Sequence, residues 1–197
     1  MRYLKGFALG IAVSSRGADH LRNRPTLEVF NLPAELRAKI YGRANDPDPT
    51  GYKDKGLIVA WSDDIYAVAD SLGVCKFVTR GFNSPHLLGY EDFAGLASAA
   101  AGLEYSLEGL RQVGRRVLDT ERMINADLGL GRADDTLPKR YFDDPMPARV
   151  TKGHHIDRQA FEGMLDEYYA ERGWDEQGRV PLHRQQEIAD LLAQLGN

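Results

Sequence analysis

The chain has 197 residues, 43% of them hydrophobic, and a formal net charge of −4. That is enough apolar material for one sizeable core, and the dispersed Lys and Arg exclude a basic nucleic-acid stripe and a like-charge tail. One cysteine excludes an internal disulfide framework and fits a reducing, cytoplasmic compartment, and no apolar run is long enough to span a membrane.

At the N-terminus, Arg2 and Lys5 precede a short apolar run over residues 6–13, which imitates a signal peptide. The run contains Gly10 and is followed at once by Arg16, so residues 3–15 read as a helix of the mature chain. Its small residues, Gly6, Ala8, Gly10 and Ala12, permit close approach of another backbone. A polar loop carrying His20 follows, then a short helix over residues 35–41 after Pro33. Residues 45–51 form a loop that mimics a calcium site through Asp46, Asp48, Thr50 and Gly51. Leu57 stands where a bidentate Glu is needed, so calcium is set aside.

The next segment carries the clearest pattern. Ile58, Trp61, Ile65, Val68 and Leu72 recur at steps of three and four, the spacing of one buried helical stripe. Gly73 suits the left-handed residue that closes such a helix. Asp70 falls in the last turn, where the helix dipole disfavours an anion. The lone cysteine, Cys75, follows two residues after the glycine. A local rule broken beside a single cysteine marks a candidate site.

Residues 77–86 read as an irregular connection and residues 90–100 as a helix. Ser106 is placed as the N-cap of a long helix reaching about Asn125, with Leu107, Leu110, Val113, Val117 and Ile124 inward. Gly129-Leu130-Gly131 is a turn, lacking the preceding strand and third glycine of a phosphate loop. Asp157 is the N-cap of a further helix, with Ile156 and Phe161 at hydrophobic-staple spacing and Gly173 as its stop. A last helix covers about residues 182–195. The predicted class is mainly α: one irregular multihelical domain over residues 1–197.

The pattern Asp70-x-x-Gly73-Val74-Cys75-Lys76 resembles the second pterin-binding motif of the aldehyde ferredoxin oxidoreductase family, the tungsten and molybdenum bis-pterin enzymes. Four other stretches resemble the family in the same order: Arg16-Gly17-Ala18-Asp19-His20-Leu21-Arg22, Glu121-Arg122-Met123-Ile124-Asn125, Asp134-Asp135-Thr136-Leu137-Pro138-Lys139-Arg140 and Glu167-Tyr168-Tyr169-Ala170-Glu171-Arg172-Gly173-Trp174-Asp175. The resemblance spans nearly the whole chain but only the C-terminal part of the family's chain. Ala126 to Gly129 stand where the family usually has Arg-Glu-Gly, and Arg179 interrupts its common Gly-Val-Pro; these departures bear on subfamily and substrate.

The resemblance implies a helical C-terminal domain and a set of roles. Asp70 would accept hydrogen bonds from a pterin, main-chain groups of Val74 and Lys76 would complete the cradle, and Cys75 would be the fourth thiolate of a 4Fe–4S cluster. His20 would stand near the tungsten (or molybdenum) and handle acid–base work. The other three cluster cysteines, the other pterin half-site and a catalytic carboxylate belong to the family's N-terminal region, so the chain on its own is expected to hold no cofactor. Implied partners are that N-terminal region, ferredoxin and a small aldehyde, with no nucleic acid or membrane and with room for a homodimer. Two other readings stand beside this one: part of a catalytic subunit resembling class II benzoyl-CoA reductase, and a cofactor-free helical interaction module. His154-His155 read as structural; Arg16 and Arg80 face either an anion or helix ends.

Overall fold

A computed structural model describes residues 2–195 of the chain. Among these, the regular elements are all helical. They are α1 Lys5–Ala12, α2 Ala34–Tyr41, α3 Lys55–Ser71, α4 Arg80–Asn83, α5 Tyr90–Ala101, α6 Leu107–Asp127, α7 Arg140–Asp143, α8 Arg158–Arg172 and α9 Leu182–Leu195, with short 3₁₀ turns between some of them. The predicted helices are all present, with shorter bounds for α1.

Helix α3 is the axis on which the others pack. Every residue from Lys55 to Ala69 except Asp64 is buried, so the apolar stripe read from sequence understates it: Val59 and Ala60 are buried in the other cluster, and Tyr66 and Ala67 are buried as well. Its two sides serve two apolar clusters. Ile58, Trp61, Ile65 and Val68 pack with Tyr41, Phe82, Tyr90, Phe93 and Leu110. Val59 and Ala60 pack with Leu9, Ile156, Phe161, Met164 and Tyr168. Burying each large apolar side chain is worth about 1.5–3 kcal/mol, which lets tertiary packing, not local propensity, fix the helix. Leu72, counted in the stripe, is 38% exposed because the helix has already ended at Ser71.

Two glycines set the crossings. A Cβ on Gly114 of α6 would lie 2.4 Å from the Asp64 carbonyl oxygen, and one on Gly56 of α3 would lie 2.4 Å from the Tyr168 amide nitrogen. Helices α6 and α8 therefore meet α3 almost backbone to backbone. The buried ridge of α6 is Leu110, Gly114, Leu118 and Arg122. This corrects the predicted inward face: Leu107 is 38% and Ile124 54% exposed. The glycine that allows closest approach carries no apolar side chain, so an apolar count passes over it.

Local stops behave as their chemistry dictates. Ser106 Oγ accepts from the Gly109 amide at 2.9 Å, and Asp157 Oδ1 from the Ala160 amide at 2.8 Å. Ile156 and Phe161 are both buried in one cluster, completing the staple. The buried interior also holds ions. Arg172 is wholly buried, donating to Asp63 Oδ2 at 2.9 Å and the Ala60 carbonyl at 3.1 Å and pairing with Asp64. Asp63 also accepts from Tyr168 Oη at 2.7 Å.

Candidate functional site

The turn after α3 is a Schellman motif. Gly73 has φ of 67°, its amide donates to the Asp70 carbonyl at 3.1 Å, and the Val74 amide donates to the Ala69 carbonyl at 2.9 Å. Val74 leans on the first apolar cluster, which is the contact that accompanies such a stop. The Val74 N–H closes the helix, which leaves the Val74 carbonyl as the main-chain group free for the cradle that the resemblance implies. Cys75 is exposed as a free thiol, and the following 3₁₀ turn engages its carbonyl with the Val78 amide at 3.1 Å.

Asp70 is held from one side. Its Oδ2 accepts from Arg22 Nη1 and faces Lys76 Nζ, each at 2.8 Å, while its side chain remains 40% exposed. Two cations offset the unfavourable end of the helix dipole. Arg22 is buried and reaches a second carboxylate, Glu121 of α6. Lys76 Nζ also donates to the Leu21 carbonyl at 2.8 Å. The His20 loop and the Asp70–Lys76 turn are thus joined by two side chains, although 55 positions separate His20 from Cys75. Arg22 lies inside a quoted motif, yet nothing in the sequence marks it as the residue that joins the two segments; its partners lie 48 and 99 positions away.

The loop itself is fixed by short-range bonds. Asp19 Oδ1 accepts from the Leu21 amide at 2.7 Å, and its Oδ2 pairs with Arg16 at 2.7 Å. The backbone bond from Leu21, aided by Arg16, holds the Asp19 carboxyl below its ordinary range. Arg16 is therefore a loop brace. Arg80 pairs with Glu91 at the start of α5, a helix-end role. His20, Asp70 and Cys75 all stand on the exposed surface, and none lines a described cavity. Arg22 and Lys76 bridge the two segments, Arg22 through Asp70 and Lys76 through Asp70 and the Leu21 carbonyl.

The other motif stretches brace one another. Asn125 Nδ2 donates to the Ser15 carbonyl at 2.7 Å. Arg122 donates to Asp135 Oδ1 at 3.0 Å and to the Gly178 carbonyl at 2.7 Å, and Tyr169 donates to the same Asp135. Asp135 thus ties α6 to α8. Trp174 Nε1 donates to Asp119 at 2.7 Å. Glu167 accepts from the Asp54 and Gly56 amides at 2.9 and 2.7 Å, capping the start of α3. Gly17, Ala18, Arg122, Asn125, Thr136 and Trp174 converge on a cavity of about 270 Å³ next to the His20 loop.

Residues 1–189 match the family model described as aldehyde ferredoxin oxidoreductase, domains 2 and 3. The chain belongs to the aldehyde ferredoxin oxidoreductase family. It is 35% identical over 190 residues to the tungsten-containing aldehyde ferredoxin oxidoreductase of Pyrococcus furiosus, covering 95% of this chain and 28% of that protein. A second protein of that description, from Thermococcus kodakarensis, is 35% identical over 196 residues, covering 97% of this chain and 29% of the relative. The chain thus spans less than a third of the length of these curated relatives. A solved active-site complex of benzoyl coenzyme A reductase, BamBC, aligns with TM-score 0.56 at 21% identity, covering 68% of this chain and 19% of that one. That likeness is one of fold.

The family's tungsten cofactor raises the question of fit. One oxygen of Asp70 is engaged by cations, while Oδ1 accepts no bond from the described residues. An exposed carboxylate oxygen and an exposed thiol five residues apart suit a heterocycle edge and a metal cluster respectively. The donor set fits one pterin and one cluster ligand. Among the described residues, no group of three or more His, Cys, Asp or Glu could hold a metal ion by itself.

Proposed function

We propose that the chain forms the cofactor-facing C-terminal domain of a tungstopterin oxidoreductase that oxidises aldehydes to carboxylic acids and passes electrons through a 4Fe–4S cluster to ferredoxin. The observation that supports this reading is the contact by which Lys76 ties the Asp70–Cys75 turn to the loop that carries His20. Asp70 and main-chain groups of Val74 and Lys76 would hold the pterin edge, through the Val74 carbonyl and not its engaged amide. The Cys75 thiolate would be one cluster ligand, with three further thiolates supplied by the remainder of the enzyme.

When bound, the tungsten–pterin group supplies the two-electron oxidation of the aldehyde, with oxygen from water. This chain's residues do the rest of their work by position. The His20 imidazole would accept or release a proton as the acid forms, held in place by the Asp19–Leu21 turn and the Arg16 brace. Arg22 orients Asp70 as an acceptor, its guanidinium bridging Asp70 and Glu121. Exposed Leu21, Leu72, Phe77 and Val78 surround these positions in sequence and suit coverage by the N-terminal region.

The test is aldehyde-dependent dye reduction by this chain assembled with the N-terminal region of its enzyme. Wild type should reduce dye, and His20→Gln should lower kcat by about 10²-fold or more while leaving tungsten content unchanged. Equal turnover in the His20→Gln assembly would remove His20 from the reaction.

A further inference from the structure

A recess of about 230 Å³ lies between α3, α6 and the ends of α2, α5 and α8, and no residue of the His20 loop or the Asp70–Lys76 turn lines it. One wall is aromatic. Tyr41 meets Trp61 edge to face at 5.4 Å between ring centroids, and Trp61 meets Tyr90 in the same way at 6.2 Å; all three rings are buried. The facing wall is the polar side of α6, with Arg111 and Arg115 one turn apart. Arg111 lies over the Tyr90 ring, 5.2 Å from its centroid.

The hydrogen-bonding groups in this recess are unequally engaged. Asp64 is paired with Arg172, and Glu171 with Arg43. Arg111 and Arg115 have no carboxylate partner among the described residues. Arg115 donates only to the Glu171 carbonyl. Trp61 Nε1–H and Arg111 Nε–H are buried with no partner among the described residues. Leaving a buried donor unmatched costs about 1–3 kcal/mol, and native proteins seldom do so without a ligand or water to meet it. Among the described residues, Glu108 is the acid at the rim without a cation. The acids are thus largely neutralised within the protein, while the unmatched groups are donors and cations.

We propose that this recess binds a small aromatic carboxylate, its carboxylate on Arg111 and its ring against Tyr41 and Trp61. A planar guanidinium donates two parallel bonds to a carboxylate, and edge-to-face aromatic walls suit a flat ring. Asp64 and Glu171 do not repel the anion strongly, since each already has a cation in contact.

The experiment follows the Trp61 indole N–H resonance of the full chain, assigned with Trp61→Phe, during titration with phenylacetate and with its neutral isostere phenylacetamide. Phenylacetate should shift that resonance saturably, and phenylacetamide should bind at least about tenfold more weakly, as should phenylacetate to Arg111→Gln. If the resonance does not move, water alone meets these donors and the proposal fails. It fails equally if acid and amide bind alike, or if a folded Arg111→Gln binds as tightly as wild type. Should Arg111→Gln not fold, the acid-against-amide comparison decides by itself.

Discussion

Replacing Gly114 with alanine should separate α6 from α3. The added Cβ would lie 2.4 Å from the Asp64 carbonyl oxygen and 3.0 Å from its carbonyl carbon, so the backbones must part by about 1 Å to restore ordinary contact. Overpacking of this kind costs about 1–3 kcal/mol, and a backbone obstacle puts the site at the upper end. Alanine's better helix propensity returns up to about 1 kcal/mol. The net loss is about 1–2 kcal/mol, or a Tm lower by about 2–8 °C in a chain of this size. Gly95 of α5 is the matched control, since a Cβ there meets nothing within 4 Å; Gly95→Ala should gain about 0.4–1 kcal/mol. Urea unfolding of both variants with the parent measures the difference. Equal stability of the two variants would refute the close crossing. Because α6 carries Glu121, the crossing also positions Arg22 and so Asp70.

Three further outcomes are expected. Arg172→Met should cost about 3–5 kcal/mol in urea unfolding, because it leaves the buried Asp63 carboxylate without its cation; a loss under 1 kcal/mol would mean that the network is not formed. Burial raises the Glu28 carboxyl to about 7, against the opposing pull of Lys55 and the amides of Phe7 and Gly6. The folded state then holds a proton that the unfolded chain has released, so this group's contribution to stability should fall as pH rises from about 4.5 to 7, by up to roughly 3 kcal/mol. Urea midpoints across that window, with Glu28→Gln as the flat reference, check this, and a contribution that rises with pH would contradict it. The Cys75 thiol should react with a disulfide reagent in the native chain to one equivalent without denaturant; reaction only on unfolding would place it in the core.

The sequence was most legible where the chemistry is local. The Gly73 stop, the Ser106 and Asp157 caps and the Ile156–Phe161 staple each involve residues within five positions, and each is formed. Legibility failed where the determinant lies far along the chain. Arg22 meets Asp70 and Glu121 only once α3 and α6 have crossed, and Asp135 finds Arg122 and Tyr169 through the same packing. The inward face of α6 was misread because Gly114, its closest contact, has no side chain for a periodicity to register. Val74 shows the converse limit: the glycine stop was readable, but its engagement of the next amide makes one cradle group unavailable. Four of the five motif stretches line or brace one cavity, and the Asp70–Lys76 turn is the stretch outside it.

The most direct measurement of the central claim is cluster content in the assembled enzyme, with wild-type chain and with Cys75→Ser. Iron and labile sulfide analysis with low-temperature EPR of the reduced sample reads it. We expect a 4Fe–4S signal with the wild-type chain and its loss, or conversion to a three-iron species, with Cys75→Ser, while the tungsten content stays the same. An unchanged four-iron cluster in the Cys75→Ser assembly would contradict the assignment of the Asp70–Lys76 turn as the place where pterin and cluster meet.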